Sequence, residues 1–404
     1  MPFPTYPSLK GDDGGFTKQS ILERLPLIVR ETSLKNEQGG LINTSASNAL
    51  NSLADDIASN GIVVALLPNQ KEELWMSSYT KSFEGINYLS VPWFFLENYI
   101  YKRILDITSS QINDPFILMK SEAIKSAQHS FLKTVLPLLK ESNVNASSVL
   151  RAALYRSLWG NKADLSLSAG VVVATTSTES ELSNLLADDS DKAVELLLSD
   201  DGSKTEVVIL LDNCGLELLS DLVFCLVLLK TNPTLTIVLM TKTSPVFVSD
   251  VVLKVDVDSH ISFIKQLIDT TQNQEEKDLL IQCGNSLKEY FMSGRIIVES
   301  DDFFTSPLAS WNMPEKLRSR LSRNNRLTIS KGDANYRRLL GDCHWPHDTS
   351  FQEATSYFPT SLLALRTTKA GVIVGVNKET EERVSSLHNN WLVSGEFGVI
   401  QLKI

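Results

Sequence analysis

Apolar residues recur at three- and four-residue spacing through 21–30, 48–60, 93–107, 121–139 and 149–158. That spacing places them along one face of a helix. Pro26 falls in the first of these segments and suits the opening turn of a helix better than its middle. After about Ser168 the rhythm changes. Short β-type runs at 170–175, 207–211, 236–240, 295–298, 326–330, 362–365 and 372–376 alternate with helical periodicity at 217–230, 259–271, 275–291 and 335–340. Such alternation predicts an α/β fold with a mostly parallel sheet and helices on both faces. The expected division is a mainly helical N-terminal domain over residues 1–165 and an α/β domain over 166–404. The acidic stretches at 188–191 and 200–201 read as exposed helix ends and loops.

Composition narrows the function. The chain has 404 residues, 43% of them hydrophobic, which is ample for a large core. A net charge of −10 offers no nucleic-acid footprint and disfavours an anionic membrane surface. A small phosphorylated metabolite remains a suitable partner, because a few local cations or a metal invert the field at one site. Four cysteines without a C-x-x-C pair fit reduced thiols. The first 18 residues lack an apolar signal core. The expected location is therefore cytoplasmic, or also nuclear. The long apolar stretch 207–229 contains Asp212, Glu217 and Asp221, so it reads as strand, turn and helix rather than a membrane span. The sequons at Asn43 and Asn145 are then silent.

The strongest chemical signal is 206–221, E-V-V-I-L-L-D-N-C-G-L-E-L-L-S-D. An apolar strand ends in Asp212-Asn213, and a helix follows with Glu217 and Asp221 on one face. Ligands in α/β folds bind outside the carboxyl ends of strands. Two adjacent hard oxygen ligands there suit a divalent cation. The plainer reading is a turn in which Asn213 caps the helix and Glu217 answers its dipole.

Other stretches share the same kind of place. Asp250 closes P-V-F-V-S-D after the next strand, where it is otherwise a turn or capping aspartate. In S-K-G-D-A-N-Y-R-R, Lys331 and Gly332 precede a helix start, a natural anion seat without P-loop spacing. Arg366 and Lys369 in R-T-T-K follow another strand. In L-W-G-N-K-A-D-L-S a helix ends near Gly160, leaving Asn161 and Asp164 in a polar loop. Glu97 and Asn98 interrupt the aromatic helix W-F-F-L-E-N-Y, and a buried acid there needs a partner. The five histidines show no zinc spacing, and no G-x-S-x-G elbow occurs.

Together, D-N-x-G-x-E-L-x-x-D-L, F-V-S-D, L-W-G-N-x-x-D-L-S, K-G-D-x-N-Y-R-x-L-x-G-D and R-T-x-K resemble the metal-dependent damage-control phosphatases. The last element resembles that of the subfamily that includes proteins once proposed to be protein-glutamate O-methyltransferases. The resemblance runs from Arg24-Leu25-Pro26 to Lys369. It implies a three-layer α/β/α core with an N-terminal helical domain. It implies a divalent metal (magnesium, manganese, cobalt or nickel) held by Asp212, Asn213 and Asp250. It also implies hydrolysis of small phosphate esters, notably fructose 1-phosphate and fructose 6-phosphate.

On that footing Asp212, Asp250, Lys331 and Lys369 are the candidate catalytic residues. The two lysines, with Arg337 and Arg366, would hold phosphate oxygens. Asp333, Asn335, Tyr336, Glu97, Asn98 and Asn161 would meet sugar hydroxyls. Glu217, Arg24 and Asp164 are candidates without an assigned role. Two other functions compete. One is S-adenosylmethionine-dependent carboxyl methyl transfer, against which the missing G-x-G-x-x-G loop counts. The other is a non-catalytic sugar-phosphate or protein-binding module, against which the intact acids and lysines count.

Overall fold

The computed structural model describes residues 6–66, 79–141, 145–160, 179–199 and 204–404. Its centre is a seven-stranded sheet of β1 (Leu185–Asp188), β2 (Glu206–Leu210), β3 (Thr236–Thr241), β4 (Ile296–Ser300), β5 (Asn325–Lys331), β6 (Leu362–Thr367) and β7 (Gly398–Lys403). The strand order is β1-β7-β6-β5-β2-β3-β4. All neighbours pair in parallel except β6 and β7. The expected α/β fold with a mostly parallel sheet is what the chain adopts.

Side chains alternate across a strand, and the alternation divides the core in two. Val208 and Leu210, Val238 and Met240, and Leu362 and Ala364 face an apolar cluster shared with the helices Leu25–Gln38, Thr44–Ala58, Trp93–Thr108 and Gly332–Leu339. Val207 and Ile209, Ile237 and Leu239, and Leu363 and Leu365 face the opposite cluster. That side is covered by Ala146–Trp159, Leu216–Thr231, Leu253–Thr270 and Gln274–Met292. Both faces are buried, which is why the central strands are apolar without alternation. Leu216–Thr231 is buried along nearly its whole length, so it carries no polar face. No helix among the described residues is long and apolar enough to cross a membrane.

Several expectations need correction. The run 372–376 is not a strand. Arg366 donates to the carbonyl of Val372, Gln401 donates to that of Val374, and Val374 N donates to Tyr336 Oη. Side chains thus satisfy the polar groups that a strand would place in a ladder. The single helix expected at 121–139 is broken into Ile117–Ser126, Gln128–Ser130, the π-helical turn Phe131–Val135 and Leu138–Glu141. Pro137, which has no N–H, lies just before the last piece. Strands β1 and β7 and the helices Ser190–Leu198, Glu315–Ser322 and Lys378–Leu387 lie where no regular element was expected. The expected strand 170–175 lies outside the described residues. Pro26 does sit in the first turn of its helix. Asn43 and Asn145 both cap helices through their side chains.

Leu222, wholly buried on the central helix Leu216–Thr231, tests the weight of this packing. Leu222→Ala is expected to lower unfolding free energy by about 2–5 kcal/mol, measured by urea denaturation.

Candidate active site

The carboxyl ends of β6, β5, β2 and β3 lie side by side, and a cleft of about 530 Å³ opens beyond them. The loop after β2 carries Asp212 and Asn213, then turns at Gly215, whose φ of +86° is a left-handed conformation that favours glycine. The loop after β3 returns alongside it. Asn213 and Asp250 form an antiparallel bridge. Val251 N donates to the Asp212 carbonyl at 2.9 Å, and Cys214 N to that of Ser249 at 2.6 Å. Backbone bonds therefore bring the two aspartates of the D-N and F-V-S-D motifs together.

Their side chains are buried. Asn213 Nδ2 donates to Asp212 Oδ2 at 2.7 Å and to Glu217 Oε2 at 2.9 Å. Asp250 Oδ2 accepts from Phe247 N at 2.9 Å and Val246 N at 3.3 Å. Asp212 Oδ1 and Asp250 Oδ1 accept no hydrogen bond. Between them sits the ammonium of Lys242, 2.5 Å from Asp250 Oδ1 and 3.7 Å from Asp212 Oδ1. Burial pushes the Asp212 carboxyl up to about 7, with Lys242 opposing and Glu217 and Asp250 reinforcing the rise. Gly332, after β5, presses against this carboxylate. Its φ is +78°, and a Cβ there would lie 1.8 Å from Asp212 Oδ2.

Two buried oxygens that accept no hydrogen bond and share only the Lys242 ammonium as an ionic neighbour fit one hard divalent cation. Asn213 Oδ1 accepts from Ser249 Oγ at 2.5 Å, so the aspartates present the oxygens without partners. No group of three or more histidines, cysteines or acids forms a metal cage among the described residues. The donors are two carboxylates beside an amide.

The cleft brings together Asp212, Asn213, Glu217, Asp250, Asp333, Arg337, Lys369, Glu97 and Arg24. Glu97 accepts from Arg24 at 2.6 Å and from Arg337 at 2.5 Å, and Arg337 also grips Asp342. Burial disfavours the Arg337 charge, but Asp342 and Glu97 outweigh it and hold its pKa above the ordinary range. Asp333 Oδ1 is anchored by Arg366 Nε at 2.8 Å and Lys369 N at 3.2 Å.

Other candidates do not line the cleft. Lys331 lies behind the lining residue Glu217, with its ammonium 2.9 Å from that carboxylate, 3.1 Å from Asp221 and 2.7 Å from the Ser157 carbonyl. Its burial disfavours charge, but the two acids outweigh that. Arg366 is spent on Asp333 and on the carbonyls of Val372 and Ala370. Asn335 ties Leu211 O to Lys331 O, Tyr336 Oη donates to Gln401, and Asn98 donates to Phe94 O. These five residues support the walls. Asn161 and Asp164 lie outside the described residues. Gly160 does end its helix, but with right-handed dihedrals. Close approach is what demands glycine there, since a Cβ would meet Glu217 Cα at 2.7 Å.

Sequence reasoning passed over Lys242 and His260. Lys242 follows β3 directly, the kind of position that singled out Lys331 and Lys369. His260 lies beneath the loop after β2 and accepts from Gly215 N at 2.7 Å, while its Nδ1 lies 2.7 Å from the Asp256 carbonyl. Burial lowers its pKa to about 4, so the imidazole stays neutral.

Acidic oxygens beside lysine and arginine at a sheet edge equip an enzyme for a small phosphorylated molecule. Known proteins narrow that class. The model of the damage-control phosphatase ARMT1-like domain matches residues 20–384. The chain belongs to this family, and is thereby a phosphatase, a phosphoric monoester hydrolase. Similar proteins include those named damage-control phosphatase ARMT1 from Xenopus laevis (31% identical, covering 96% of this chain and 97% of that one) and Bos taurus (30%, 96% and 96%). The human protein of that name is 27% identical, with 98% of each chain covered.

Two outcomes test this geometry. Gly332→Ala is expected to displace the Asp212 carboxylate and lower phosphate release at least about tenfold, one lost transition-state contact costing 10²–10³, with circular dichroism unchanged. For His260, a folded pKa below the unfolded value means stability present above about pH 6.5 and lost as pH falls towards 4. The stability gap between wild type and His260→Phe should therefore narrow over that window, measured by urea denaturation at each pH.

Proposed function

We propose that this chain is a metal-dependent phosphatase of small sugar phosphates, such as fructose 1-phosphate and fructose 6-phosphate, in metabolite damage control. The observation that carries the metal is the pair of buried oxygens without hydrogen-bond partners, Asp212 Oδ1 and Asp250 Oδ1, at the floor of the cleft. Asp212 and Asp250, with Asn213 once its amide turns from Ser249, would hold the ion. A divalent cation there (magnesium, manganese, cobalt or nickel) supplies charge neutralisation for phosphate oxygens and a positioned nucleophile.

The chain supplies the rest. Lys369 lines the cleft facing the same floor and offers a cation to the phosphate. Arg24, whose side chain is 47% exposed, offers another at the mouth. Asp333, fixed by Arg366, faces the cleft as an acceptor for a sugar hydroxyl. Phe16, Trp93 and Phe247 give the walls apolar surface against which a sugar ring packs. Lys331 acts at one remove, by offsetting one of the two charges that Glu217 and Asp221 place behind Asn213. Phosphoryl transfer asks for little beyond such positioning and charge stabilisation. A volume of about 530 Å³ suits a monosaccharide phosphate.

The test is phosphate release from a panel of sugar phosphates, with EDTA and then with added Mn²⁺, Co²⁺, Ni²⁺ or Mg²⁺. EDTA should abolish turnover and metal should restore it. Asp212→Asn and Asp250→Asn should each lower kcat roughly 100-fold or more with the fold intact. Lys369→Ala should chiefly raise KM. Undiminished turnover by the Asp212 variant would overturn the assignment. Tight metal-independent binding of S-adenosylmethionine would favour carboxyl methyl transfer instead.

A further inference from the structure

Lys242 has no place in the function just described, yet its surroundings are unusual. It is the first residue after β3, and its backbone is fixed by a parallel bridge to Val252. Lys242 N donates to Val251 O at 3.1 Å, and its carbonyl accepts from Leu253 N at 2.9 Å. The side chain is 3% exposed. The ammonium lies 5.7 Å from the Phe247 ring centre and contacts only the Asp212 and Asp250 carboxylates as acids. The oxygens it approaches are the same two that lack hydrogen-bond partners. A buried ammonium is costly unless its charge is used. Lys242 does not line the cleft, so its influence on a ligand passes through the aspartates.

We propose that Lys242 is the resident counter-ion of the Asp212–Asp250 pair, a positioning residue that makes this seat take a divalent cation together with a phosphate rather than alone. The inference rests on the metal reading above. Charge counting supports it. With both carboxylates ionised, as metal ligands must be, they and Lys242 leave the floor one negative charge. A divalent cation turns this into one positive charge, and Lys369 adds a second. A phosphate dianion then balances these five charged groups. Without Lys242 the loaded floor is neutral, and Lys369 alone faces the dianion. Lys242 also repels the incoming metal at short range, where Coulomb energies are large in a water-poor site. It holds the carboxylates together before metal arrives and weakens metal binding until an anion joins.

The experiment is a Mn²⁺ titration of the full chain, by electron paramagnetic resonance of free Mn²⁺, with and without inorganic phosphate. Wild type, Lys242→Met, Lys242→Gln and Lys242→Arg are compared. Without phosphate, Lys242→Met and Lys242→Gln should bind Mn²⁺ roughly tenfold tighter or more. Phosphate should strengthen Mn²⁺ binding in wild type and in Lys242→Arg, and do so far less in the neutral variants. A purely structural lysine would give weaker binding under both conditions. Mn²⁺ affinity unchanged or weakened in a folded neutral variant would overturn the proposal. Loss of the phosphate effect in folded Lys242→Arg would overturn it as well, even if neither neutral variant folds. If wild type binds no Mn²⁺ even with phosphate present, the metal reading itself falls, and this inference with it.

Discussion

Burying many carboxylates close together is the constraint on which the rest of this structure depends. Glu97, Asp212, Glu217, Asp221, Asp250, Asp256 and Asp342 are all buried. Ionised acids in such surroundings are costly unless cations and hydrogen bonds compensate them. Several of the compensating cations come from a distant part of the chain. Lys331 reaches Glu217 and Asp221, Arg337 joins Glu97 to Asp342, and Lys120 reaches Asp256. The compensation therefore doubles as cross-linking. It fastens the Trp93–Thr108 helix to the Gly332–Leu339 helix, and the end of β5 to the central helix Leu216–Thr231. Removing one member strands an uncompensated charge, so the networks around the cleft are stiff as well as polar.

That stiffness matters for chemistry that depends on placement. The loop bearing Asp212 and Asn213 is held on three sides. The return loop bonds its backbone, His260 accepts from Gly215 N, and Gly332 packs against the Asp212 carboxylate with no room for a side chain. Among the described residues, the cleft side is the one left for a ligand to approach. Preorganised groups of this kind need little rearrangement as charge develops on a reacting phosphate.

Much of this was legible in the sequence, and the legible part has a common cause. The central strands are buried on both faces, so they are apolar runs ending abruptly in polar residues, and those ends mark the cleft. Asp212, Asp250, Asp333 and Lys369 were found that way. Side-chain direction is not written in local spacing. Lys331 ends a strand and Lys369 follows one, yet Lys331 turns towards Asp221 while Lys369 borders the cleft. Lys242 and His260 escaped notice because their partners lie on other segments. The run 372–376 imitates a strand because it is equally buried, although Arg366 and Gln401 replace the ladder. Strands β1 and β7 are legible mainly through each other, since they pair across a long separation.

The position of β7 has a consequence for how the chain is built. It lies between β1 and β6, so an interior strand of the sheet is supplied by the 398–403 segment. Among the described residues β1 pairs only with β7. During synthesis β1 therefore emerges long before anything can pair with it, and an unpaired edge is prone to wrong association. β6 likewise keeps an open edge until β7 arrives. Closure of the sheet is thus a late, long-range step. Such non-local pairing slows folding and leaves incomplete chains exposed to aggregation and to chaperones.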